Sequence, residues 1–282
     1  MRAEQITDRC TYHGEGAVWS SSWGGLRFVD MLAGDLVSLL PDGTVSRSRL
    51  GDVAACVRPR SGGGFVAAVE RGFLLEDPDG TRHALPELWT GSDVRMNEGG
   101  CDPDGRFYCG SMAYDATPGA GTVYRLAPDG SVDTVLTDVT ISNGFGFTRD
   151  GTRAYYVDTP TGEVSVFDYD REQGLTGRRT FVRIPPDAGS PDGLTVDAED
   201  GVWVALWQGG AVHHYSAEGR LDTVVEVDAT QVTSCALGGA SRDELFITTS
   251  RENLPPDAEP AAGALFRVRV GVPGLEPLPF LG

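Results

Sequence analysis

Hydrophobic and polar positions alternate in short runs along the whole chain. "GLRFVDM", "GDLVSLL", "GFVAAVE", "RFYCGSM", "GTVYRLA", "GEVSVFDYD", "GVWVALW", "GAVHHYS" and "ELFITTS" all show this pattern. Each run is bounded by Gly, Asp-Gly or Pro-Asp-Gly. A period of two between turn residues predicts half-buried antiparallel strands. The longer apolar period of a helix is almost nowhere to be found.

One phrase recurs on a larger scale. "GEGAVW", "MNEGGCDPDG", "ISNGFGFTRDG" and "PDGLTVDAEDG" each open on a polar residue near Gly, run into alternating apolar positions and end in a turn. Aligned on the polar residue, they give Glu15, Asn97, Asn143 and Asp192. Weaker copies lie near Ala55 and at Ser234. The spacings, about 40 to 49 residues, match a four-stranded propeller blade. Six copies fill the chain, so the sequence predicts an all-β, six-bladed β-propeller with a central channel, one domain over residues 1–282. The segment around "EQITDRC" is expected to close the ring by adding a strand to the last blade.

This architecture explains the variation within the phrase. The first strand of every blade lines the channel, so in-phase residues meet around the axis although they are far apart in sequence. Glu15, Asn143 and Asp192 would direct three oxygen-bearing side chains at one spot. An Asn or Asp at a strand entrance is more often a turn residue. Four such residues in phase are another matter, since buried carboxylates need partners. Without Cys or His, the set is a hard oxygen one that suits Ca²⁺, Mg²⁺ or Mn²⁺ better than a structural zinc site.

Composition narrows the function classes. The net charge of -18 argues against nucleic acid or an anionic membrane as partner and favours attraction of cations. All 23 basic residues are Arg, which excludes Schiff-base chemistry and a Walker-type phosphate loop. Five scattered cysteines without a C-x-x-C read as buried free thiols. With no leader and no membrane-length apolar run, a cytoplasmic protein is expected, as a monomer or weak homo-oligomer.

The remaining candidates read as structural. His13 is expected to be a partly exposed turn residue, and His213 and His214 to serve the fold. "SGGG" at Ser61 reads as a strand turn. Ser111 and Ser190 lie outside any G-x-S-x-G elbow. Trp19, Trp203 and Trp207 are expected between blades, with Trp207 able to edge a pocket.

The phrases also resemble the motifs of the SMP-30/gluconolactonase/luciferin-regenerating family, which consists of six-bladed propellers. "GEGAVW" is similar to its first-blade metal motif and "RMNEGGCDPDGRFYCGSM" to its substrate-side motif. "ISNGFGFTRDGTRAYYVDT" and "PDGLTVDAEDGVWVALW" resemble the later metal motifs, and "TSCALGG" the sixth-blade phrase. The resemblance implies one divalent cation on Glu15, Asn143 and Asp192, most simply Ca²⁺, with Mg²⁺, Mn²⁺ or Zn²⁺ as alternatives. It implies that Arg95 and Asn97 contact substrate oxygens, and that the substrate is a small sugar lactone such as gluconolactone. Two departures stand out. Glu98 follows Asn97 where the family has Asp, and the loop after Met112 is short, with Asp115 the nearest counterpart of an acidic substrate contact.

The expected chemistry is hydrolysis of an aldono-lactone. The cation would polarise the carbonyl while Asp192 acts as general base on water. A divalent-cation-dependent esterase or phosphotriesterase on the same site, or a non-catalytic calcium-binding propeller, is the alternative.

Overall fold

The computed structural model describes all 282 residues. Six four-stranded antiparallel sheets form a ring, a six-bladed β-propeller, and the only helices are single 3-10 turns. The innermost strands are Gly14–Ser20, Ala54–Pro59, Val94–Cys101, Ser142–Phe147, Ser190–Val196 and Val232–Gly238. Each packs on the innermost strands of its two neighbours, and the sixth meets the first. In five blades the strands follow chain order from the channel outward. The sixth is completed by the N-terminal strand Glu4–Gln5, where Glu4 pairs with Arg267 and Gln5 with Phe266. The closing strand read from "EQITDRC" is therefore present.

Alternation places one face of each blade against the next. The buried apolar residues accordingly fall into six clusters, one per seam. Tyr155 and Val204 sit in the seam between the fourth and fifth blades, Trp203 and Ile247 in the next, and Phe28 and Phe246 in the seam that joins sixth to first. Burying each such side chain stabilises the ring by about 1.5–3 kcal/mol. The channel end of each blade is thereby fixed from both sides. No helix is long and apolar enough to cross a membrane. All five cysteines are free thiols, four of them buried.

Candidate functional site

The innermost strand of every blade carries a β-bulge, and the bulge falls at the repeated polar residue. Pairing with the second strand is interrupted between Glu15 and Val18, Met96 and Gly99, Ser142 and Phe145, and Pro191 and Leu194. A bulge leaves a residue out of the ladder and re-aims its side chain. Here it leaves Asn97, Asn143 and Asp192 out of the ladder, while Glu15, still paired with Val29, flanks its bulge, and all four line one cavity of about 180 Å³ with Arg95. In the two remaining blades the bulge falls at Ala55 and Thr233, which bring neither carboxylate nor amide. The in-phase residue of the sixth blade is thus Thr233, one position before the Ser234 expected from the repeat. Its hydroxyl donates to the Gly14 carbonyl at 2.5 Å.

The Gly that follows the polar residue lets neighbouring innermost strands approach. A Cβ on Gly144 would lie 2.7 Å from the Leu194 nitrogen and 2.8 Å from the Asp192 carbonyl. One on Gly193 would lie 2.7 Å from Ser234 Oγ. The sequence phrase thus encodes both a side chain and the close packing that brings it to its partners.

Hydrogen bonds orient the set. Asn143 Nδ2 donates to Thr159 Oγ1 at 2.9 Å. Its own Oδ1 lies 3.3 Å from Asn97 Nδ2, which also donates to the Ser142 carbonyl at 2.7 Å. Arg95 Nη1 donates to Asn97 Oδ1 at 2.6 Å. Glu15 Oε2 accepts from the Gly16 amide at 3.0 Å, while Asp192 Oδ1 is buried with no hydrogen-bond partner at all. Burial, then the charge of Asp192, holds Glu15 well above the usual carboxylate range. Burial, then the charge of Glu98, does the same for Asp192. Two buried carboxylates held above their usual range by burial and neighbouring carboxylates, one with an orphaned oxygen, make no salt bridge to any Arg. Their oxygens and the Asn143 amide oxygen fit a hard divalent cation with water filling the rest of its shell. No group of three or more His, Cys, Asp or Glu side chains is arranged as a metal site anywhere in the protein. The candidate set has only two carboxylates, its third member being an amide.

Three residues in the same cavity are not apparent from the repeat. His13 is 6% exposed rather than partly exposed, and it faces the cavity. Its Nδ1 lies 2.7 Å from Ser250 Oγ and its Nε2 3.8 Å from Glu15 Oε1. Burial, reinforced by Arg95, lowers it to about 3, so the ring is neutral. Trp207 packs edge-on against His13 and forms an apolar wall. Glu252 reaches in from the loop after the sixth blade's second strand. The only signal for it is a carboxylate shortly after a strand, which is too common to single out.

Asp115 does not enter the cavity, because its carboxylate accepts from Thr117 N and Oγ1 in an exposed turn. Glu98 is buried behind the cavity, paired with Arg58 at 3.4 Å. His214 stacks on Trp203 and bridges Asp197 and Asp222, and His213 meets the Tyr215 hydroxyl, so both serve the fold. Ser111 donates to the Thr122 carbonyl.

Comparison with known proteins gives a consistent picture. The model of the "SMP-30/Gluconolactonase/LRE-like region" matches residues 13–251. The chain is 36% identical to the pentonolactonase XacC of Haloferax volcanii, over 97% of this chain and 96% of that one. Its fold superposes on a luciferin-regenerating enzyme with a TM-score of 0.91 at 26% identity, covering 99% of both chains. It also superposes on a calcium-binding protein, regucalcin from Agrobacterium tumefaciens, with a TM-score of 0.92 at 28% identity, covering 99% of this chain and 97% of that one.

Proposed function

Because the chain belongs to the SMP-30/Gluconolactonase/LRE-like family, we propose that it is a lactonase that opens a small sugar lactone to its hydroxy acid with the help of one divalent cation. The observation that carries this reading is the convergence of Glu15, Asn143 and Asp192, with the unpartnered Asp192 Oδ1, on one cavity. The relative named a pentonolactonase supports the substrate class, and the structure described as calcium-binding supports Ca²⁺ before Mg²⁺, Mn²⁺ or Zn²⁺.

In this reading Glu15, Asn143 and Asp192 hold the cation. When bound, it polarises the lactone carbonyl and offsets the charge that develops on the carbonyl oxygen. Asp192 takes a proton from the attacking water as the water oxygen bonds to the carbonyl carbon. It returns that proton to the ring oxygen as the ester C–O bond breaks. Arg95, through its free guanidinium nitrogens, and Asn97 orient the substrate oxygens. Trp207, Met112 and Ile141 give the ring apolar contact.

The reading extends to a single-domain protein over residues 1–282, a monomer or weak homo-oligomer, that works in the cytoplasm, where free thiols persist. The deciding experiment is proton release with a panel of lactones and each of several cations. Many turnovers per site, lost on chelation and restored by the cation, are expected. Cation binding without lactone turnover would overturn the lactonase reading in favour of an esterase or phosphotriesterase on the same site or a calcium-binding propeller.

A further inference from the structure

Glu252 lines the mouth of the cavity with a carboxylate that makes no hydrogen bond within the protein. Its backbone is fixed: the amide donates to Ser250 Oγ at 2.9 Å and the carbonyl accepts from Gln231 Nε2 at 3.1 Å. Its side chain makes no hydrogen bond. The nearest partner is His13 Nδ1 at 3.6 Å, a nitrogen already taken by Ser250 Oγ at 2.7 Å. The carboxylate is partly exposed at the mouth, where a free charge is tolerated.

Arg95 lines the same cavity. It spends only Nη1 on the protein, donating to Asn97 Oδ1, the Met96 carbonyl and Met31 Sδ. Nε and Nη2 make no hydrogen bond within the protein. Glu252 is also the carboxylate that most strongly favours the charged form of Arg95, ahead of Glu15 and Asp192. The cavity thus holds both an acceptor without donors and donors without acceptors. Its volume, about 180 Å³, suits a single ring, since roughly 150 Å³ admits benzene.

We infer that Glu252 is a specificity-determining residue, which accepts hydrogen bonds from ring hydroxyls of an uncharged lactone and turns away lactones that carry a negative charge. The inference rests on the lactonase reading above and deepens it. A vicinal diol has two hydrogens to give and suits the two oxygens of a carboxylate. Charge makes the second half of the argument. Glu15, Asp192 and Glu252 set three negative charges against Arg95. A divalent cation brings that sum to zero, which leaves no surplus positive charge for a substrate carboxylate or phosphate. Such a group would instead meet the negative charge of Glu252, which makes no hydrogen bond of its own.

The test compares wild type with Glu252→Gln on three lactones. Erythronolactone carries a diol, γ-butyrolactone has the same ring without hydroxyls, and saccharolactone carries a free carboxylate. The variant keeps the shape of the side chain, and its loss orphans no protein group. The wild-type preference in kcat/KM for erythronolactone over γ-butyrolactone should fall by about 10- to 100-fold in Glu252→Gln, the worth of a hydrogen bond to a charged group. Saccharolactone should gain on erythronolactone by about 10-fold or more. Ratios that do not change would overturn the inference while leaving the lactonase reading intact. If wild type opens none of the three, the lactonase reading falls, and calorimetry with anhydroerythritol against tetrahydrofuran decides the role of Glu252 alone. Binding of the diol that is lost in Glu252→Gln supports it, and equal binding by both proteins refutes it.

Discussion

Arg95 and Asn97 form one unit: the guanidinium donates to Asn97 Oδ1 at 2.6 Å, and the amide group so fixed donates to the Ser142 carbonyl and towards Asn143 Oδ1. The proposed substrate pair is therefore tied to the proposed ligand set through a single amide. Arg95 is buried, which makes the charge-assisted bond to Asn97 stronger than it would be at the surface.

This coupling sets the expectation for Arg95→Ala. The variant loses the substrate donors and frees the Asn97 amide, so kcat/KM should fall about 100-fold. Cation affinity should change by only a fewfold, because Asn143 keeps its bond to Thr159. Arg95→Lys should recover little, since an ammonium cannot hold Asn97 and substrate with one planar fork. Steady-state kinetics together with calorimetric cation titrations measure both quantities. A large loss of cation affinity would place Arg95 in the ligand set.

Cation removal should separate activity from folding. The six apolar seams do not involve Glu15 or Asp192, so the chelated protein should keep its β-sheet circular dichroism. Saturating cation should add about 2–4 kcal/mol, the linkage expected at 100 to 1,000 times Kd, seen as a raised Tm. Hydrolysis should vanish on chelation. Full activity in exhaustively chelated protein would refute the mechanism.

The repeat made most of the site legible in the sequence. Glu15, Asn97, Asn143 and Asp192 could be aligned because each sits at the bulge of its blade, and the bulge recurs with the repeat. His13, Trp207 and Glu252 could not. They enter from strand ends and connecting loops, and His13 is placed by a single pairing with Ser250 across the seam that joins the two ends of the chain. No local pattern encodes that pairing, so His13 looked like a turn residue. Ser234 was one position out of phase because alternation alone does not say which residue the bulge leaves unpaired. Arg95 was legible as the cation of its motif, but its bond to Asn97 depends on both side chains turning back into the same cavity.

His214 gives a pH test away from the site. Burial lowers it, but bonds to Asp197 at 2.9 Å and Asp222 at 2.5 Å outweigh this and raise it above 6.5. Its stabilisation is complete below 6.5 and lost as pH rises through the raised value. For Asp197, burial is outweighed by bonds from His214, Glu199 N and the Trp203 indole, so it lies below 3.8. Its contribution is complete above 3.8 and lost as pH falls through the lowered value. The pair should therefore stabilise most between about 4 and 6.5. His214→Gln should cost about 1–3 kcal/mol in that window and less above it, as read from urea unfolding at several pH values. A loss independent of pH would mean that stacking on Trp203 carries the effect.

The last expectation concerns Asp192, on which the proposed chemistry rests. As a ligand it contributes charge, and as a base it must also accept a proton from water. Asp192→Asn keeps the shape and one coordinating oxygen but removes both functions. Cation binding should weaken yet be measurable, and the rate at saturating cation should fall by about 10²–10⁴, the worth of a positioned general base. Glu15→Gln removes only charge, since in this reading Glu15, held by the Gly16 amide beside His13, is a ligand and takes no part in proton transfer. Saturating cation should restore much more of its activity. Comparing kcat for the two variants at saturation separates proton transfer from ligation. Equal recovery would make Asp192 a ligand only. Glu98, buried behind it with an unpartnered Oε2, would then be the next carboxylate to replace by Gln.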